Sequence, residues 1–177
     1  MSEEPVVAAY GTVVAPSTLT IQRKLPGPIE RIWAYLTDSD LRRQWFAAGV
    51  FPEATGAEFE LVWRNDELAG SEAGRPDGFA AEHGMKSELL VCEPPHRLAF
   101  SWPPRGEVAI ELKSLGSHVL LTLTHQRISD RRNMVMIGAG WHMHLDILVA
   151  LATDTGPEPF WMGWSRLKDE YERLMPA

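Results

Sequence analysis

The sequence predicts an α+β domain in which a curved antiparallel sheet wraps around a long C-terminal helix, with two short helices after the first strand. Three features predict this fold. A strand near the N-terminus runs directly into helical spacing. The middle of the chain holds strands joined mainly by short turns, as in an antiparallel meander. The end of the chain then changes to the period of helices.

The first strand begins near Thr18, where apolar and polar residues alternate. The Pro-Gly-Pro sequence of residues 26–28 ends it, and residues 29–36 then place apolar side chains on one helical face. Asp38 and its neighbours offer capping groups to a second short helix, which ends at residues 44–46.

The sheet continues with a strand that begins near Ala57 and carries Phe59 and Trp63 on one face. A long polar loop is predicted over residues 64–78, because it contains several glycines and a proline. Four more strands are predicted over residues 85–93, 97–102, 107–113 and 118–127.

Two helices complete the predicted fold. The first starts after residues 129–130 and contains Gly138 and Gly140, each costing about 1 kcal/mol relative to alanine. We expect a close approach of this helix to the sheet to offset that cost. The last helix follows residues 155–157 and is rich in tryptophan.

The composition is typical of one soluble domain, with residues 1–16 as a flexible arm and residues 17–177 as the domain. The net charge of -7 disfavours nucleic acid and anionic membranes, because both need a clustered basic surface. The single cysteine, Cys92, excludes an intramolecular disulfide. We expect a cytoplasmic protein, because no apolar run reaches the roughly 20 residues of a membrane span and the acidic N-terminus lacks a signal pattern.

Three stretches in chain order carry a family resemblance. They are Ile21-Gln22-Arg23 with Pro28, Ile29, Trp33, Leu36, Thr37 and Trp45; Glu93-Pro94-Pro95-His96-Arg97-Leu98 with Phe100-Ser101-Trp102; and Leu121-Thr122-Leu123-Thr124-His125 with Gly140-Trp141 and Leu145. The chain resembles the START-like, helix-grip superfamily (SRPBCC) over residues 17–175, the fold of the birch pollen allergen. Within it, the chain is most similar to the branch homologous to the activator of the heat-shock protein 90 ATPase.

The resemblance implies a cavity between the sheet and the long helix, in a superfamily of carriers, hormone receptors, cyclases and co-chaperones. Two features depart from the pattern we expect of this superfamily: the long loop at residues 64–78 and the tryptophan-rich last helix. Both can cap or narrow the mouth of a cavity.

The candidate ligand-binding residues are the apolar side chains on the inward strand faces and on the long helix, with two histidines. They are Trp45, Phe59, Trp63, Phe100, Trp102, His125, Trp141, His144, Leu145 and Leu148. If these side chains do not interdigitate fully, they leave an apolar pocket for a small molecule. The alternative is that they form only the core.

A histidine can act as a ligand anchor, as a metal ligand or as a catalytic residue. His125 can anchor a ligand if it faces inward, or bond to backbone at the sheet edge if it does not. His142 and His144 diverge on the helix, so they cannot chelate one metal, and we expect no metal and no cofactor. No catalytic motif is present, and no catalytic residue is assigned.

Three functions remain open. The first is non-catalytic binding of a small apolar or amphipathic ligand. The second is interaction with a protein partner, as the co-chaperone branch implies, and the third is an enzyme of the cyclase or hydrolase type. The tryptophans of the last helix can either cover the cavity or form a homodimer contact. We expect no nucleic-acid or membrane partner.

Overall fold

The computed structural model describes residues 5–69 and 74–177. Its strands are β1 Thr12–Ala15, β2 Thr18–Pro26, β3 Glu58–Trp63, β4 His83–Glu93, β5 Arg97–Trp102, β6 Gly106–Leu115 and β7 His118–Gln126. Its helices are α1 Ile29–Thr37, α2 Ser39–Arg42, α3 Asn65–Ala69, α4 Arg131–Ala152 and α5 Phe160–Leu174.

The strands form one antiparallel sheet in the order β1-β2-β7-β6-β5-β4-β3. β2 therefore pairs with the last strand, β7, and β1 and β3 form the two edges of the sheet. Because neighbouring strands alternate in direction, β3, β5 and β7 run the same way and end at the same end of the sheet. The predicted α+β fold, with a curved sheet around a C-terminal helix, is confirmed.

The core lies between the concave face of the sheet and α4. β2 and β7 alternate between buried and half-buried positions, as their sequence pattern predicts. α4 is buried on most of its surface, because the sheet covers one side and α5 another. By length and composition α4 could cross a membrane, but 67% of its apolar window is buried, as in the core helix of a soluble protein.

The structure differs from the sequence-based expectation in three places. Thr12–Ala15, inside the expected flexible arm, form edge strand β1, whose mostly exposed residues give no alternating pattern. The expected polar loop contains α3, which packs against α5. Gly138 approaches α5 rather than the sheet, since an added Cβ would lie 3.3 Å from a carbon of Tyr171.

A buried arginine holds the link between α2 and β3. Arg42 is 2% exposed, and its guanidinium donates to four backbone carbonyls: those of Leu36, Thr37, Ala47 and Gly49. Burial lowers the pKa of Arg42 to about 10, so it remains charged at neutral pH. This arrangement fixes the position of Phe46, whose ring packs beside α4.

Candidate functional site

A pocket of about 1210 Å³ opens at one end of the core, between the sheet, the first half of α4 and α5. Three of its wall residues lie at or next to the ends of parallel-running strands: Trp63 on β3, Trp102 on β5 and His125 on β7. The antiparallel meander brings these ends together. The next part of the wall comes from α4, which begins at the same end of the sheet.

A cluster of packed aromatic rings forms one part of the pocket wall. Phe46 stacks on Trp141 with ring centroids 4.8 Å apart and meets Trp63 edge-on at 5.2 Å. The ring centroid of Trp102 lies 5.7 Å from that of Trp63 and 5.8 Å from that of Trp141. Because each ring is held by another ring, this part of the wall is rigid and apolar.

His125 faces the pocket and is 1% exposed. The indole Nε1 of Trp141 donates a hydrogen bond to its Nδ1 across 3.0 Å. Burial lowers the pKa of His125 to about 4, so the imidazole is neutral at pH 7. The hydrogen of the neutral ring therefore sits on Nε2.

His144 has the opposite tautomer. Its Nδ1 lies 2.8 Å from the carbonyl oxygen of Trp45, which can only accept, so Nδ1 carries the hydrogen. Burial lowers the pKa of His144 to about 4, although the bond to Trp45 acts in the other direction. Its Nε2 is therefore an acceptor in the neutral ring.

The mouth of the pocket is covered by α5, together with α3 and residues 75–80. Nε1 of Trp161 donates to Asp66 across 2.9 Å, and Asp66 also pairs with Arg75 at 2.5 Å. Phe79 packs on Trp161 and Trp164, with centroids 5.1 and 5.2 Å away. Both tryptophans are almost fully buried within the single chain, so they cover the pocket.

The structure places half of the predicted site residues at the pocket. Those that line it are Trp63, Trp102, His125, Trp141 and His144. Those that lie in the packed core instead are Trp45, Phe59, Phe100, Leu145 and Leu148. Leu145 and Leu148 lie in the second half of α4, beyond the pocket, and Phe59 and Phe100 pack on each other in the core.

The candidate site residues did not include those that close the pocket, although the last helix was named as one possible cover. Phe46 lies between elements, and Phe160, Trp161 and Trp164 belong to α5. The high tryptophan content of the last helix was a signal for them. Gly140 was also missed: an added Cβ would meet only Trp164, with Nε1 4.0 Å away, so this glycine leaves room in the pocket.

His142 points away from the pocket, toward a separate polar cluster. Its Nδ1 lies 2.9 Å from Oη of Tyr171, and its Nε2 lies 3.3 Å from Asp146. Arg23 donates to the other oxygen of Asp146, and the backbone N–H of Gly11 donates to Tyr171. In the described residues, no group of three or more His, Cys, Asp or Glu side chains is placed to hold a metal ion.

The comparison with protein families agrees with this fold. The family described as activator of Hsp90 ATPase homolog 1-like protein matches residues 26–153. The chain belongs to this family. Its structural neighbours are SRPBCC-like proteins, as the sequence resemblance predicted. No curated protein matches the chain.

Solved structures match over nearly the whole chain. The protein encoded by gene BPP1335 of Bordetella parapertussis is 34% identical, with a TM-score of 0.82, covering 97% of this chain and 93% of its own. CalU16 from Micromonospora echinospora is 24% identical, with a TM-score of 0.67 and coverages of 90% and 89%. DynU16, from the dynemicin biosynthetic locus, is 23% identical, with a TM-score of 0.59 and coverages of 81% and 49%. The last two show likeness of fold.

Proposed function

We propose that this protein binds a small apolar or amphipathic molecule in the pocket between the sheet, α4 and α5, without transforming it. The observation that carries the proposal is the pocket of about 1210 Å³ with its wall of aromatic rings. Sites for small molecules are concave and mostly apolar, with a few placed polar groups. His125 and His144 are such groups, because each is buried and held by one hydrogen bond.

The apolar area of the pocket is large enough for micromolar affinity for a small ligand. A ligand that buries roughly 300 Å² of apolar area gains about 7 kcal/mol before the cost of association. Hydrogen bonds to the two histidines add to this gain, which brings micromolar affinity within reach. The rigid wall also lowers the cost of ordering side chains when the ligand binds.

The two buried histidines of the pocket support binding rather than chemistry. His125 and His144 are both neutral at pH 7, because burial lowers the pKa of each to about 4. A general base works best with a pKa near the working pH. Among the described residues that line the pocket, none is an aspartate, a glutamate or a cysteine.

A second candidate is an activator-type role with a protein partner, which the family description favours. This role would not depend on the open volume of the pocket. The third hypothesis, a cyclase or hydrolase, has no specific observation in its favour in the described part of the chain.

The test is a titration with N-phenyl-1-naphthylamine, a neutral fluorophore whose emission rises in apolar sites. We compare the wild-type protein with Gly140→Leu, whose side chain would extend into the pocket. The matched control is Gly156→Leu, which adds the same side chain in a loop where no other atom lies within 4 Å of the new Cβ.

We expect the wild-type protein and Gly156→Leu to bind the fluorophore with micromolar dissociation constants. Gly140→Leu should bind it at least about tenfold more weakly than the wild-type protein does. Equal binding to all three proteins would place the fluorophore elsewhere and would contradict the proposal. No binding to the wild-type protein would contradict it as well and would favour the partner role.

A further inference from the structure

One end of the pocket, beside the turn between β5 and β6, offers a fixed hydrogen-bond donor. An indole N–H can only donate, so Nδ1 of His125 accepts from Trp141 and Nε2 carries the hydrogen. In the described residues Nε2 has no hydrogen-bond partner. It lies beside Gly106, where an added Cβ would stand 3.3 Å from it. His125 is 1% exposed, so this donor is buried in the pocket wall.

Two arginines lie at the same end of the pocket. Arg105 is exposed beside Gly106, and its guanidinium pairs with no group in the part of the chain that the structure describes. Arg127 donates from Nε to the carbonyl of Arg105 across 2.5 Å, which holds the turn in place. Glu107 pairs with Arg127 at 3.2 Å. Two arginines against one glutamate leave one net positive charge at this rim.

The aromatic part of the pocket wall and His144 are unsuited to an anion. Phe and Trp rings line much of the pocket, and their faces carry partial negative charge. His144 presents an acceptor nitrogen, because its Nδ1 hydrogen is used by the carbonyl of Trp45. A ligand with one negative group is therefore directed to the turn between β5 and β6, with its apolar body among the rings.

We propose that the pocket takes an aromatic monocarboxylate, whose carboxylate lies between the guanidinium of Arg105 and Nε2 of His125. This inference rests on the proposed function and narrows it to one chemical class. A carboxylate is costly to bury unless it is hydrogen-bonded, and here one neutral donor and one guanidinium are available for it. The single net charge of the rim fits a monoanion.

The test compares two ligands with the same ring system: naphthalene-2-acetate, which is an anion at pH 7, and its neutral amide, naphthalene-2-acetamide. Each displaces N-phenyl-1-naphthylamine from the pocket, and the loss of fluorescence gives its dissociation constant. We expect the wild-type protein to bind the acetate about tenfold more tightly than the amide.

The variants assign this preference to its residues. Arg105→Gln should reduce the preference to about twofold. Arg132→Gln is the matched control, because Arg132 is exposed on α4, does not line the pocket and changes the net charge equally. His125→Phe removes the donor and should also reduce the preference, whereas His125→Gln keeps an amide donor and should retain it.

The outcomes separate this inference from the function on which it rests. Equal affinity for the acetate and the amide, or displacement by neither while the fluorophore still binds, would overturn the carboxylate assignment and leave the binding function intact. A preference that is unchanged in Arg105→Gln would overturn it too. If the fluorophore does not bind the wild-type protein, the binding function itself fails.

Discussion

Trp141 on α4 donates its indole hydrogen to Nδ1 of His125 on β7 across 3.0 Å. This bond joins the central helix to the sheet at the point where the pocket begins. It also decides which nitrogen of His125 is offered to a ligand. The same two side chains therefore stabilise the core and set the polarity of the pocket.

The free energy of unfolding should depend on pH through His125 and His144. The pKa of each falls from 6.5 to about 4 on burial, so the unfolded chain binds more protons between these values. The stability from both groups is complete above about pH 7 and is lost as the pH falls from about 6.5 toward 4. The slope is at most about 1.4 kcal/mol per pH unit for each histidine.

Urea unfolding at a series of pH values measures this slope. His125→Gln can still accept the Trp141 hydrogen bond, so it should fold and lose the contribution of one histidine to the slope. His118→Gln is the control, because His118 lies half-exposed at the turn between β6 and β7. A slope that is the same in His125→Gln and in the wild-type protein would show that His125 is not held neutral by the fold.

Two glycines of α4 should respond oppositely to alanine. Gly140→Ala should raise the free energy of unfolding by about 1 kcal/mol, because alanine favours the helix and the new methyl group enters the pocket without a clash. Gly138→Ala should lower it, because its methyl group would lie 3.3 Å from the ring of Tyr171, which hydrogen bonds hold in place. Thermal unfolding of both variants checks the prediction, and a gain for Gly138→Ala would contradict the packing of α4 on α5.

The buried guanidinium of Arg42 should be among the larger single contributions to stability. Arg42→Met leaves four backbone carbonyls without their donor, and the free energy of unfolding should fall by about 3 kcal/mol or more. Arg43→Met is the matched control: Arg43 is half-exposed and pairs with Glu67 at 3.5 Å, a surface pair worth less than about 1 kcal/mol. Similar losses in urea unfolding of the two variants would refute the role of Arg42.

The hydrogen bond between Asp66 and Trp161 should control access to the pocket. Asp66→Ala removes the contacts of Asp66 with Trp161 and Arg75, so N-phenyl-1-naphthylamine should enter and leave several-fold faster in stopped-flow experiments. Glu82→Ala is the control, since Glu82 pairs only with Arg64 at the exposed surface of the described residues. Unchanged rates in Asp66→Ala would show that the mouth is open without this contact.

Alternation and helical period predicted the fold and the inward faces of the strands, because both patterns are local. They did not predict which residues of one strand face lie in the packed core and which line the pocket. Phe100 and Trp102 share a face of β5, but Phe100 packs against Phe59 in the core, whereas Trp102 reaches the pocket at the end of the strand. The strand pattern does not show which helix packs against which part of the sheet.

The mouth of the pocket and the orientation of His125 depended on contacts distant in sequence. α3 and α5 meet through Asp66 and Trp161, which are 95 residues apart. His125 faces inward because it alternates with Leu123 and Leu121 on the buried side of β7, but Leu120 made both faces partly apolar in the sequence. The bond from Trp141 then fixed its tautomer, which no local pattern shows.

The binding pocket can be tested most directly by the indole N–H signals in a proton–nitrogen NMR spectrum, one for each of the seven tryptophans. Five tryptophans line the pocket, and their signals should shift when N-phenyl-1-naphthylamine is added: Trp63, Trp102, Trp141, Trp161 and Trp164. Trp33 and Trp45 lie outside the pocket, so the chemical shifts of their signals should not change. Shifts confined to Trp33, or no shifts at saturating fluorophore, would contradict binding in this pocket.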